Sequence, residues 1–176
     1  KDFAKQFRNR RGYDIQPWLL AMTGLPLCDE ASSEKFLHDV RQTIAEMLHD
    51  VFYGTIKGLV REKGCTWSAE TVAPTMMSDG LLHYSQVDIP MGEFWLNSPT
   101  HDKPNDMLDA ISAAHVYGKK IIQAEAFTTL RMNWSEHPGM LKALGDRNFA
   151  LGMNKMVIHV FVHNPWMDRR PGMALD

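Results

Sequence analysis

The stretch Lys120-Ile121-Ile122-Gln123-Ala124-Glu125-Ala126-Phe127 is short, apolar and interrupted by one carboxylate, and it lies between two stretches of helical periodicity. It predicts a strand. Upstream, Leu108, Ile111 and His115 recur at three and four, with Asn105 expected as the helix cap and Gly118 as the stop. Downstream, Met140 to Met153 is expected to be mostly helical, with a break near Gly145-Asp146. The run Met156-Val157-Ile158-His159-Val160-Phe161-Val162-His163 then predicts another strand, apolar enough to be covered on both faces.

The same alternation extends toward the N-terminus. Phe36, Leu37, Val40, Ile44, Met47, Leu48, Val51, Phe52, Ile56, Leu59 and Val60 form one stripe of a long amphipathic helix, with Ser33 expected as N-cap and Gly64 as stop. Cys65-Thr66-Trp67-Ser68-Ala69-Glu70 reads as a short buried strand. Tyr84 to Asp88 reads as another, ending in the loop Pro90-Met91-Gly92-Glu93-Phe94-Trp95. Helices alternating with strands argue for a parallel sheet with crossover helices, hence an α/β fold. A doubly wound sheet would usually carry a Gly-rich phosphate loop after its first strand, and none is present. The expected fold is a partial (β/α)8 barrel of the TIM type, about half present, with residues 1–176 belonging to a single domain without an internal boundary.

Composition narrows the function. The 176 residues suffice for one core, and a formal charge of −2 gives no electrostatic case for nucleic acid or an anionic membrane. No apolar run reaches the roughly 18 residues of a membrane span. Two cysteines, Cys28 and Cys65, define no disulfide framework. The abrupt ends read as those of a piece of a longer protein.

In a (β/α) barrel the working residues stand at the C-terminal ends of strands. Glu70, Glu93 and Glu125 are expected there, each after an apolar or small-residue stretch and without an adjacent basic residue. One such glutamate alone would pass for a surface residue; three in corresponding positions do not. Paired carboxylates are what glycosidic cleavage needs: one protonates the leaving oxygen while the other activates water or attacks. Trp95 and Trp134 follow the last two glutamates and could stack on a sugar face, or simply fill core. His115, His159 and His163 might suggest zinc, but no His-Glu-x-x-His or cysteine pair accompanies them. His163-Asn164 suits hydrogen bonding to sugar hydroxyls, whereas His159 suits a core position. The basic run Arg8-Asn9-Arg10-Arg11 is expected on a solvated helix face.

Four phrases occur in order: Arg11-Gly12-Tyr13-Asp14, Val87-Asp88-Ile89-Pro90-Met91-Gly92-Glu93-Phe94-Trp95, Gln123-Ala124-Glu125-Ala126-Phe127-Thr128 and His163-Asn164-Pro165. Together they resemble glycoside hydrolase family 106, the α-L-rhamnosidases, nearly end to end. The resemblance implies a large multidomain enzyme with a (β/α)8 catalytic barrel. It implies hydrolysis of terminal α-L-rhamnosyl residues of a glycan or glycoside, with inversion and with calcium near the sugar. It makes Glu125 the general base and Glu93 a catalytic-site residue associated with calcium. It makes His163 and Asn164 substrate contacts. Glu70 and Trp95 are expected to contact substrate by position alone. The proton donor of the resembled family would lie before Lys1, so these 176 residues alone are expected to be inactive.

Two rivals remain open at this point. In one, a different barrel glycosidase uses Glu93 and Glu125 themselves as acid and base. In the other, the chain is a non-catalytic carbohydrate-binding protein, against which the presence of both glutamates argues.

Overall fold

In the computed structural model, residues 2–71, 78–98, 104–129, 135–160 and 168 are described. The elements run α1 (Phe3–Arg11), a 3-10 segment (Gln16–Thr23), α2 (Glu30–Met47), a π-helical segment (Leu48–Tyr53), α3 (Gly54–Glu62), β1 (Ser68–Glu70), α4 (Gly80–Tyr84), β2 (Ile89–Trp95), α5 (Pro104–Val116), β3 (Gln123–Thr128), α6 (Pro138–Leu151) and β4 (Lys155–Ile158). The four strands form one sheet in the order β1-β2-β3-β4, and every neighbouring pair is parallel.

β2 overturns one expectation. Ile89–Trp95, of which Pro90 to Trp95 was read as a loop, is the longest strand among the described residues. The predicted strand at Tyr84–Asp88 instead begins as the end of α4, whose N-cap Asp79 accepts from the Leu82 N–H. Physical reasons for both are visible. Pro90 precedes the first β2–β3 pair, Met91 with Gln123, so its missing N–H falls where that neighbour has not yet begun to pair. Gly92 lies against α5: a Cβ there would stand 2.7 Å from the Asp106 carbonyl oxygen and 2.9 Å from Met107 Sδ. The glycine marks a close helix–strand approach, not a turn.

The back of the sheet is built from Pro90, Gly92, Phe94, Ala124 and Ala126, all buried, and α4, α5 and α6 contribute to the core that covers it. Here Met107, Ala110, Ile111, Ala113 and Ala114 of α5 present small and apolar side chains to the strands. Gly145 does not break α6; it sits where the Phe127 ring would approach a Cβ to 3.3 Å. α5 begins at Pro104, one residue ahead of the expected cap Asn105, which proline favours because the first helical N–H has no partner to lose. β4 was expected to run to His163 and to be covered on both faces. It is described as a strand only over Lys155–Ile158, as the sheet edge, with Ile158 66% exposed; residues 161–167 lie outside the described residues.

The predicted long helix is divided. Asp29, not Ser33, caps α2: its carboxylate accepts from the Ser32 N–H at 2.7 Å, and a negative charge there also meets the positive end of the helix dipole. Ser33 is buried and its hydroxyl bonds the Leu27 backbone. Beyond Met47 the π-helical turn inserts extra residues and rotates the stripe, leaving Phe52 and Leu59 exposed while Tyr53 is buried. Gly64, at φ 65°, ends the helix as expected.

A second cluster forms around Phe7, Ile15, Ala21, Phe36 and Val40, with Tyr13 edge-on to Phe7 and Trp18 stacked on Phe36. The basic run was expected to be solvated. Arg10 and Arg11 instead join α1 to α2: Arg10 reaches Glu46 and Asp50, and Arg11 reaches Glu46 and Thr43. The phrase Arg11-Gly12-Tyr13-Asp14 is thereby structural. Gly12 ends α1 at φ 82°, Tyr13 donates to Asp39, and Asp14 receives the Gln16 N–H.

Gly92→Ala is expected to destabilise the protein by about 1–3 kcal/mol, because the added methyl meets backbone and cannot be accommodated by a rotamer change. The matched control Gly58→Ala, which meets nothing within 4 Å on α3, should be neutral or slightly stabilising. Urea midpoints of the two variants provide the comparison.

Candidate active site

Residues on a strand alternate between faces, and register partners on parallel strands share a face. Glu93 is the direct partner of Glu125, and Met91 is the partner of both Glu70 and Gln123. The face opposite the buried helices therefore carries successive rows. The first holds Glu70, Met91, Gln123 and Lys155; the second Glu93, Glu125 and Val157; the third Trp95 and Thr128. Neighbouring strands are about 4.8 Å apart, so Glu93 and Glu125 stand shoulder to shoulder. Only Glu70 ends its strand. Glu93 and Glu125 lie within theirs, short of the strand ends where they were expected.

The backbone that carries these groups is pinned from behind. The Tyr53 hydroxyl donates to the Glu70 carbonyl at 3.1 Å, and the Tyr84 hydroxyl donates to the Met91 carbonyl at 2.6 Å. Below the paired glutamates, Gln123 Nε2 donates to Met91 Sδ at 2.9 Å. Glu70 reports the local field: its carboxyl is pushed up to about 7, first by burial and then by the charges of Glu125, Glu93 and Asp106. The three glutamates thus act on one another electrostatically, as the register requires.

The end of β3 departs from regular alternation. Phe94 pairs with Ala126 and Trp95 with Thr128, so Phe127 is left over as a bulge, at φ 61°. A left-handed phenylalanine costs about 1 kcal/mol or more. Its ring turns into the core, perpendicular to Phe94 at 5.0 Å, and the Thr128 hydroxyl donates to Glu125 Oε1 at 2.5 Å. Neither Phe127 nor Thr128 was singled out from the sequence. Nothing in Ala-Phe-Thr announces a bulge, and unbroken alternation would place Phe127 on the glutamate face.

Trp95 is half-buried at the end of β2 on the expected face. Trp134, His163 and Asn164 lie outside the described residues. His115 is exposed in the last turn of α5, and His159 follows β4, its N–H donating to the Ala126 carbonyl. Among the described residues, no group of three His, Cys, Asp or Glu side chains is placed to hold a metal ion.

Comparison with known proteins gives this arrangement a family. Residues 1–176 match glycoside hydrolase family 106, described as alpha-L-rhamnosidase. A protein of Formosa agariphila named "Putative beta-glucuronidase" is 34% identical over 175 residues, which are 99% of this chain and 14% of that protein. The solved structure of a rhamnosidase from Novosphingobium sp. PP1Y is 35% identical, superposes with a TM-score of 0.82, and is covered over 17% of its length by 98% of this chain. The chain spans about a sixth or less of these relatives. It belongs to glycoside hydrolase family 106.

Proposed function

We propose that the chain supplies part of the active site of an α-L-rhamnosidase acting on rhamnose-containing glycans or glycosides, with Glu125 as general base in an inverting hydrolysis. The observation that carries this reading is the in-register pairing of Glu93 with Glu125 on the face opposite the helices, with Glu70 one row away. Parallel strands in sequential order, helices behind and carboxylates in front, also favour a partial (β/α)8 barrel with these side chains directed to its mouth.

In the proposed step, Glu125 accepts a proton as water attacks the anomeric carbon, and the departing oxygen takes a proton from a second carboxylic acid. Inversion requires the two carboxyl groups to be about 6.5–9.5 Å apart so that water fits. Glu93 and Glu125 rise from neighbouring backbones about 4.8 Å apart and from the same row. That spacing favours a proton donor elsewhere, outside residues 1–176, over Glu93 as the acid.

Glu93 is better suited to a cation. Two adjacent carboxylates offer hard oxygen donors and repel each other unless positive charge lies between them. Calcium would be held by Glu93 with further oxygens from outside the described residues or from the sugar, and would supply Lewis-acid orientation of the hydroxyls. Glu70 and Trp95 would complete the sugar contacts, the first by hydrogen bonding and the second by stacking on a ring face. A neutral deoxysugar suits this face better than a uronic acid, whose carboxylate would meet three glutamates.

The reading is tested in the whole enzyme with an aryl α-L-rhamnoside beside an aryl β-glucuronide. Rhamnoside turnover is expected, with Glu125→Gln lowering kcat by about 10²–10⁴-fold. Preference for the glucuronide, or full activity of the variant, would refute it; binding of rhamnose without turnover would select the non-catalytic alternative. For Glu93→Gln, added calcium is expected to restore part of the lost activity, and substrates with better leaving groups should not.

Glu70 gives a pH signature. Its folded-state value near 7 exceeds the ordinary value of 4.5, so the folded protein holds the proton longer than the unfolded chain. Stability therefore falls as pH rises from about 4.5 to about 7. Glu70→Gln should remove this loss, gaining on the order of 1 kcal/mol over wild type at pH 8 relative to pH 4 after solvent screening of a half-buried group. Unfolding midpoints across pH measure it.

A further inference from the structure

We infer that Thr128 is the positioning residue of the general base, delivered by the Phe127 bulge to fix one carboxylate oxygen of Glu125 and leave the other for water. The inference rests on the reading of Glu125 as base. Three independent features of the fold converge on it. First, the β2–β3 register slips by one residue after Phe94–Ala126, which moves Thr128 from the back of the sheet to the row beyond Glu125. Second, the aromatic ring that strict alternation would place on the glutamate face is accommodated behind it. Phe127 is 8% exposed against Phe94, and Gly145 of α6 leaves the room it needs. Third, Thr128 is 2% exposed and held through its backbone as well, its carbonyl accepting from the Leu96 N–H at 2.8 Å.

A buried hydroxyl held this way presents its donor in one direction. The Oγ1–Oε1 distance of 2.5 Å is that of a short hydroxyl–carboxylate hydrogen bond. With Oε1 engaged, the carboxylate plane is set and the catalytic proton goes to Oε2.

Thr128→Val keeps the side-chain shape and removes the donor. In the whole enzyme it should lower kcat by about 10–100-fold while changing KM less than about threefold. Thr128→Ser should restore the rate. A merely structural threonine would alter stability and leave kcat of the folded enzyme unchanged. If Thr128→Val does not fold, Thr128→Ala carries the same expectation, and Thr128→Ser must still match wild type. Glu125→Gln run in parallel separates the two failures. An inactive Glu125→Gln with a folded Thr128→Val at wild-type kcat overturns the role of Thr128 alone. An active Glu125→Gln overturns the base assignment, and with it this inference.

Discussion

The pairing of β2 with β3 is the constraint on which the rest of the structure depends. Because strand side chains alternate, the register that sets Glu93 beside Glu125 also sets Phe94 beside Ala126 on the opposite face. A slip of one residue would carry the carboxylates into the core and the apolar set out of it. The register is therefore specified by what α5 can tolerate behind the sheet. Gly92 admits the α5 backbone, and small alanines on α5 and β3 keep helix and strand close. The acidic face is a consequence of the apolar one.

Holding like charges side by side has an electrostatic cost, and the fold bears it through its backbone. The hydrogen bonds of the parallel ladder and the buried hydroxyls of Tyr53 and Tyr84 hold the strands whether or not the carboxylates repel. The residual field is visible at Glu70, whose proton is retained to near neutrality. Such a face gains by accepting a cation, a proton or a sugar hydroxyl.

Membership of family 106 and the small share of its relatives that the chain covers belong together. Among the described residues β4 is an edge of the sheet, and Val157 and Ile158 are exposed on it. The cluster of α1, the 3-10 segment and α2 is fastened by Arg10 and Arg11 to Glu46, and it supports the helix that leads toward β1.

By itself the sequence determined the alternation of helices and strands and the parallel character of the sheet, and it marked Glu70, Glu93 and Glu125 as candidate site residues; the register put them on one face. These rest on local periodicity and on residue chemistry, which a chain displays without its partners. Only the tertiary structure decided that Pro90 and Gly92 lie in a strand, that Gly145 leaves α6 unbroken, that Arg10 and Arg11 are part-buried, and that Phe127 bulges to bring Thr128 onto Glu125. A glycine signals a turn or a close approach equally well, and an arginine signals solvent or a buried acid equally well. What distinguishes them is the neighbour that folding brings from thirty residues away or from the adjoining strand, and local sequence does not name that neighbour.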